Sequence, residues 1–328
     1  MSETAAPVLS VIVPTYNRRE RLVRAVRALA DQAIEVPYEI VVVSDGSTDG
    51  TEDAVAALDL AVPLIVDRQD NAGPAAARNR AVDRARGETL VFVDDDIVAD
   101  RGLLAAHHAA QLASDGGVVV TGPMLTPPDH EMSPWVRWEQ DRLERQYDDL
   151  AAGAYEPTGR LFYTGNASVP RRFVVEAGGF DPQFRRAEDL ELGIRMLERG
   201  APFRFVPDAR GYHYAERSFA AWERIPYDYG VNEIAFARRW NELAPMNRRH
   251  WHRSPIVARL VAGSAAFVPG VAALMGMILR PFGQRPGRAG QLALSMLYKI
   301  RFTVGLRDGL GGRRALWRLL TRAELPAD

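Results

Sequence analysis

Three aspartates stand in a row, Asp94, Asp95 and Asp96, directly behind the strand-forming run TLVFV. Adjacent carboxylates repel one another, and partial desolvation at the end of a strand strengthens the repulsion. Such a triplet needs either a cation opposite it or open solvent around it. A second pair, Glu188 and Asp189 in AEDLEL, opens a helical pattern. The helix dipole there favours the ionised form, while mutual crowding raises the pKa. A third polar cluster, SDGSTDG at 44–50, holds the first ligands of a calcium loop in Asp45, Ser47 and Asp49, with Gly50 at the turn. The twelfth position of such a loop must be a bidentate glutamate and is Ala56, so that chemistry is excluded. Neither G-x-x-x-x-G-K nor G-x-G-x-x-G occurs, which argues against P-loop nucleotidases and dinucleotide enzymes. The chain has no cysteine, hence no disulfide framework and no thiolate chemistry.

The elements that must position these groups follow from the periodicity. The apolar runs VLSVIVP (8–14), YEIVVV (38–43), VPLIVD (62–67), TLVFVD (89–94) and GVVVTG (117–122) predict strands. Amphipathic stretches between them predict helices, with Asn17 and Glu20 as a capping box for the first and Pro74 near the start of the third. Strict alternation implies an α/β fold with a Rossmann-like, mostly parallel sheet and helices on both faces. Ligands of such sheets bind beyond the carboxyl ends of the strands. PTYN, SDGSTD and the aspartate triplet follow three of those ends, so the fold should bring them to one edge. After residue 123 the alternation stops. SPWVRWEQDRLERQYDDL reads as a helix, LFYTGNASVP as a strand running into a turn, and EDLELGIRMLERG as a helix closed by Gly200. FRFVP and ARGYHY read as short strands, and FAAWERIPYDYGVNEIAFARRW as a helix interrupted at Pro226.

Five segments now stand in order: LSVIVPTYNR, EIVVVSDGSTDGT, NAGPAAARNRA, FVDDDI and TGNASVPRRFVVEAGGFDPQFRRAEDLELGIRMLERG. Together, over residues 8 to 215, they resemble the family 2 glycosyltransferases with the A-type fold. The resemblance implies an inverting enzyme that moves a sugar from a nucleoside-diphosphate sugar, of UDP or dTDP type, to an acceptor hydroxyl with the help of Mg²⁺ or Mn²⁺. Elementary charge supports a metal, because an acidic protein body holds a diphosphate only through a bridging cation. The family's D-x-D motif maps onto Asp94 and Asp96. Asp96 is expected to hold the metal directly, with Asp94 and Asp95 at the ribose and sugar or at the metal through water. Tyr16, with Pro14 beside it in PTYN, maps to the base. Asp45 maps to a pyrimidine contact, although Ser44 stands where many members have a second acid. Arg78 and Asn79 follow as nucleotide contacts. Asp189 maps to the base that takes the acceptor's proton, with Glu188 as its neighbour. His213, 24 residues after Asp189, either completes the metal site or is structural. Trp135 and Trp138 either face the acceptor or belong to a core. These assignments divide the chain into a catalytic domain over 1–247, with a nucleotide-binding half (8–122) and an acceptor-binding half (123–247), and a basic, apolar helical tail over 248–328.

The net charge of −1 hides an asymmetry: residues 248–328 carry 14 Arg/Lys against three acids, so the tail is +11 and the rest −12. The tail also holds 20 consecutive residues without a charge, 260–279. Three readings are open: helices lying on a membrane surface, a span or re-entrant hairpin, or helices packed on the protein body or on a sister subunit. Basic residues near an anionic surface favour the first. Charges interleaved with long apolar stretches, and no groove-binding motif, argue against nucleic acid. The N-terminus lacks the basic-then-apolar pattern of a secretion signal. The expectation is a transferase peripheral on the cytoplasmic face of a membrane, acting on a lipid-linked or cell-envelope saccharide. Two alternatives stand beside it: the same chemistry on a soluble acceptor with an oligomerising tail, and a non-catalytic nucleotide-sugar-binding protein.

Overall fold

The structure is a computed structural model that describes residues 6–240 and 256–322. The boundary expected at residue 247 and positions 253–255 of the expected membrane segment lie outside those residues. The chain falls into two compact units, 1–130 with 142–214, and 131–141 with 215–328.

The first unit is built on a seven-stranded sheet. Its strands are β1 (Leu9–Thr15), β2 (Tyr38–Asp45), β3 (Leu64–Gln69), β4 (Thr89–Val93), β6 (Val119–Thr121), β8 (Asn166–Pro170) and β9 (Phe203–Phe205), in the order β3-β2-β1-β4-β8-β6-β9. β3, β2, β1 and β4 run parallel, as the alternation predicts. β8 is antiparallel to both β4 and β6, and β9 runs parallel to β6. The sheet is therefore mixed on one side. LFYTGNASVP supplies a strand only in its second half, because a 3-10 turn occupies Gly159–Leu161.

Both faces of the sheet are covered, and the alternation of side chains along β1 shows it. Leu9, Val11 and Val13 pack with Leu22, Val26 and Leu29 of α1 (Arg19–Ala30) and with Leu103 and Leu104 of α4 (Leu103–Leu112). Ile12 points the other way, to Ala75, Ala77 and Ala81 of α3 (Pro74–Arg84) and Leu192 and Met196 of α7 (Glu188–Glu198). α2 (Thr51–Ala56) and α6 (Arg171–Glu176) complete the layers. Chain order places β2 and β3 on one side of β1 and β4 on the other, so the crevice at the carboxyl ends of β1 and β4 is a topological switch point.

A second small sheet was not foreseen. β5 (Ile97–Ala99) leaves the aspartate triplet at once and pairs antiparallel with β10 (Gly211–His213), which also pairs with β7 (Met124–Leu125). The capping box was wrongly expected too. Asn17 adopts φ 51° and accepts from the Thr48 N–H instead, while Asp49 accepts from the Arg19 N–H at the start of α1. A neighbouring loop thus does the capping that sequence proximity suggested for Asn17.

The second unit is helical: the start of α5 (Pro134–Ala151), then α8 (Phe219–Trp240), α9 (Ile256–Phe267), α10 (Val271–Gly283), α11 (Arg288–Gly309) and α12 (Arg313–Arg322). α8 runs unbroken through Pro226, against expectation. A proline in a helix interior removes one bond of the ladder, and tertiary packing can outweigh that loss. α8 lies very close to α11: a Cβ on Gly230 would sit 2.2 Å from the Phe302 carbonyl oxygen, and one on Gly305 would sit 2.1 Å from that of Tyr227. Glu223, buried on α8, accepts from Arg280 at 3.0 Å. The charge-free stretch 260–279 is not one helix. It breaks between α9 and α10 at Pro269–Gly270, where Gly270 takes φ +80°.

Candidate active site

β1 ends in Pro14 and Thr15, and β4 feeds the aspartate triplet, so the two segments meet at the switch point. Thr15 Oγ1 donates to Asp95 Oδ2 at 2.8 Å. Arg18 Nη1 donates to Asp95 Oδ1 at 2.6 Å and to Asp96 Oδ2 at 3.1 Å. The cation that three adjacent carboxylates require is thus partly a protein cation. Burial works against the Arg18 charge, but Asp95 and Asp96 outweigh it and its pKa is raised. Asp95 is buried, which is the main reason its carboxyl is pushed up to about 6, with Arg18 opposing and Asp96 adding to the rise. The other carboxylate oxygen of Asp96, Oδ1, faces His213 Nε2 at 3.7 Å. The small sheet arranges this, pairing His213 with Ile97 directly after the triplet.

Asp94 turns the other way. Its Oδ1 accepts from Arg78 Nη2 at 2.8 Å, and Arg78 Nη1 donates to Glu188 Oε1 at 2.6 Å. Arg78, buried on α3, therefore strings the two carboxylate clusters together although 110 residues separate it from Glu188. Burial lowers its basicity, while Asp94, Glu188 and Asp189 raise it by more. Asp189 has no direct bond to Arg78. Its Oδ2 accepts from the Thr164 N–H at 3.3 Å and its Oδ1 from the Leu190 N–H at 2.8 Å. Burial first, then the adjacent Glu188, pushes the Asp189 carboxyl up to about 7, with Arg78 opposing. That is the range a general base at neutral pH requires.

The position of α7 is set by close approach and by strain. A Cβ on Gly193 would lie 2.2 Å from the Gly159 carbonyl oxygen, so the helix seats directly on the 3-10 turn that precedes Thr164. Ala187, immediately before Glu188, holds φ 58°, a left-handed conformation that costs a residue with a side chain about 1–2 kcal/mol.

The remaining expected residues are placed as follows. Tyr16, beyond β1, is half exposed, and Pro14 pairs with Val43. Asp45 ends β2, but its carboxylate accepts from Gln69 Nε2 (2.8 Å) and the N–H groups of Ala72 (2.8 Å) and Gly73 (2.9 Å). It fastens the loop that starts α3. Asn79 exchanges two 2.8 Å hydrogen bonds with the backbone of Phe180. Trp135 and Trp138 belong to the second unit. Trp138 is buried against Trp222, Leu294 and Leu297 and donates to Ser295 Oγ at 3.1 Å. Trp135 donates to the Arg217 carbonyl at 2.9 Å and meets Phe219 edge-on. The structure thus gathers Asp94, Asp95, Asp96, Glu188, Asp189, His213 and Arg78 within one unit, and leaves the two tryptophans in the other. Sequence reasoning missed Arg18, Thr15 and Thr164. Arg18 had a usable signal, a basic residue just past the end of a strand predicted to neighbour the triplet.

Among the described residues no group of three or more histidine or carboxylate side chains is arranged to hold a metal. Asp96 and His213 offer two donors. Mg²⁺ and Mn²⁺ commonly take one or two protein ligands and fill the rest from water and substrate phosphates, so the residues present fit a cation held mostly by its substrate.

The sequence model of glycosyl transferase family 2 matches residues 10–178. A Bacillus subtilis protein described as uncharacterized glycosyltransferase YfnE is 30% identical over 62% of this chain and 64% of its own length. A validoxylamine A glucosyltransferase of Streptomyces hygroscopicus is 31% identical over 60% of this chain and 53% of its own. The chain therefore spans less than two thirds of the length of these relatives. Among solved structures, the mannosyltransferase PcManGT of Pyrobaculum calidifontis, in complex with GDP-Man and Mn²⁺, superposes with a TM-score of 0.62 at 24% identity, over 92% of this chain and 88% of that one. Staphylococcus aureus TarS 1–349 with UDP gives 0.54 at 20% identity, over 96% and 92%. These likenesses establish the A-type fold. Half of the chain lies inside the family match: the chain belongs to glycosyl transferase family 2.

Proposed function

We propose that the protein is an inverting, metal-dependent glycosyltransferase that moves a sugar from a nucleoside-diphosphate sugar to an acceptor hydroxyl. The observation that carries this reading is the Asp94–Arg78–Glu188 bridge, which ties the first aspartate of the triplet to the neighbour of Asp189 beyond the sheet. In this reading the nucleoside lies along the carboxyl ends of β1 and β2, with Tyr16 against the base and Pro14 and Asp45 shaping its seat. Arg78 and Asn79 act from beneath, holding Asp94 and the approach to α7 in register. Asp96 and His213 would hold Mg²⁺ or Mn²⁺, which when bound would supply positive charge to the diphosphate. Arg18 supplies a second positive charge on the same carboxylates. Asp189 accepts the acceptor hydroxyl's proton as that oxygen attacks the anomeric carbon from the face opposite the diphosphate, which yields inversion. A UDP or dTDP donor remains the preferred reading. The acceptor we propose is a lipid-linked or cell-envelope saccharide at the cytoplasmic membrane surface, supported by the basic, apolar character of the second unit.

A thermal-shift panel of nucleotide sugars with and without Mn²⁺ or Mg²⁺ tests it. One donor should stabilise the protein only in the presence of metal, by about 2.7 kcal/mol at a hundredfold excess over its Kd. Equal shifts with and without metal for every donor would refute the metal-dependent reading.

A further inference from the structure

α10 has two distinct faces. Gly276, Leu279 and Gly283, at i, i+3 and i+7, turn inward. Leu279 packs beside Leu294 and Leu297, and a Cβ on Gly283 would lie 3.1 Å from Leu294. The opposite face carries Leu274, Met277, Ile278 and Phe282, at i, i+3, i+4 and i+8, which share one side of a helix. They are 52%, 71%, 47% and 48% exposed. A water-facing stripe would ordinarily be polar, and a contiguous run of four large apolar side chains marks a docking surface. Exposed Arg285 and Arg288 follow directly, and on α12 the exposed Trp317 stands among Arg313, Arg314 and Arg318. Residues 256–322 contain eleven Arg/Lys and one acid, Asp308.

We infer that this stripe docks α10 in the plane of an anionic lipid bilayer, its apolar side chains below the headgroups and Arg285 and Arg288 among them. The inference rests on the membrane-surface part of the proposed function and specifies it. Lying in the plane suits the helix lengths. α9 and α10 have 12 and 13 residues, about 18–20 Å each, against a hydrocarbon core of about 30 Å. Among the described residues no helix is long and apolar enough to cross a membrane. The charge selects lipid over a second copy of the chain, because two copies joined through this face would bring like-charged arginines together, whereas an anionic surface attracts them.

Co-sedimentation of the full chain with vesicles tests the assignment. Wild type should pellet with phosphatidylglycerol-containing vesicles and stay in solution with pure phosphatidylcholine. The variant Leu274→Ser/Ile278→Ser/Phe282→Ser alters exposed positions and should keep its Tm and its donor hydrolysis, yet bind anionic vesicles at least tenfold more weakly. Arg285→Gln/Arg288→Gln should weaken binding and flatten its salt dependence. A triple variant that pellets like wild type overturns the assignment to α10 and leaves the membrane reading standing. A wild type that turns over donor but pellets with neither vesicle overturns both. A wild-type dimer that the triple variant dissolves, with no vesicle binding, makes the stripe a self-interface and also overturns the inference.

Discussion

Arg78 is a guanidinium buried between Asp94 and Glu188, 2.8 Å from one carboxylate and 2.6 Å from the other. Removing one partner of such a pair leaves uncompensated buried charge, so Arg78→Met should destabilise the protein by about 3–5 kcal/mol, read by chemical denaturation. Because Arg78 also lowers the Asp189 pKa, the acid limb of the rate profile should move to higher pH in that variant. Asp189 carries its own signs. In the proposed role of base it works deprotonated, so transfer should fall as pH drops through about 7. For stability the direction is opposite: a carboxyl raised from 3.8 to about 7 on folding contributes an unfavourable ionisation that is absent below pH 4, grows through the window and is complete above pH 7. Asp189→Asn should therefore raise Tm at pH 8 and leave it nearly unchanged at pH 4, while abolishing transfer. The approach of the aspartate triplet to Glu188 and Asp189 was legible because acidic clusters at a strand end and a helix start are unusual for their positions. The bonds that Asp45, Asn79 and Arg78 make within the protein were not, because a side chain that fastens a loop reads in sequence like one that meets a ligand.

Elements decide where those residues stand. The parallel half of the sheet was readable from continuous apolar runs alternating with helix signals. β5 and its pairing with the short strand read in ARGYHY were not, since a three-residue strand leaves no periodic trace, and that pairing is what sets His213 opposite Asp96. α7 depends on a backbone-to-backbone approach at Gly159 and Gly193. Gly193→Val would force the two apart. We expect a loss of about 1–3 kcal/mol, as for overpacked sites, and a drop in kcat larger than in donor affinity, since the Asp96 side of the site does not rest on α7. Equal loss of both, by calorimetry and steady-state kinetics, would show that α7 does not act through Asp189.

At the scale of the molecule, the basic C-terminal region proves to share its core with earlier sequence. α8 packs along α11 with glycine at the crossing, and Trp138 and Trp222 lie against Leu294 and Leu297. Composition reveals a charge shift near residue 248 but not which helix covers which tryptophan, because burial partners over such distances follow from tertiary packing. Deleting residues 256–328 should uncover those rings and give a product that binds a hydrophobic dye and aggregates, whereas surface substitutions on α10 should not.

The central claim is that one assembly binds the donor through Asp96 and activates the acceptor through Asp189. Its most direct test measures two quantities on the same protein: metal-dependent donor binding by calorimetry, and nucleoside diphosphate release with an accepted saccharide acceptor, for wild type and Asp189→Asn. Intact binding with release slowed by about 10²–10⁴, the contribution typical of a general base, is the predicted outcome. Release by Asp189→Asn at more than about a tenth of the wild-type rate would contradict it, because a transfer that survives loss of its base has another one.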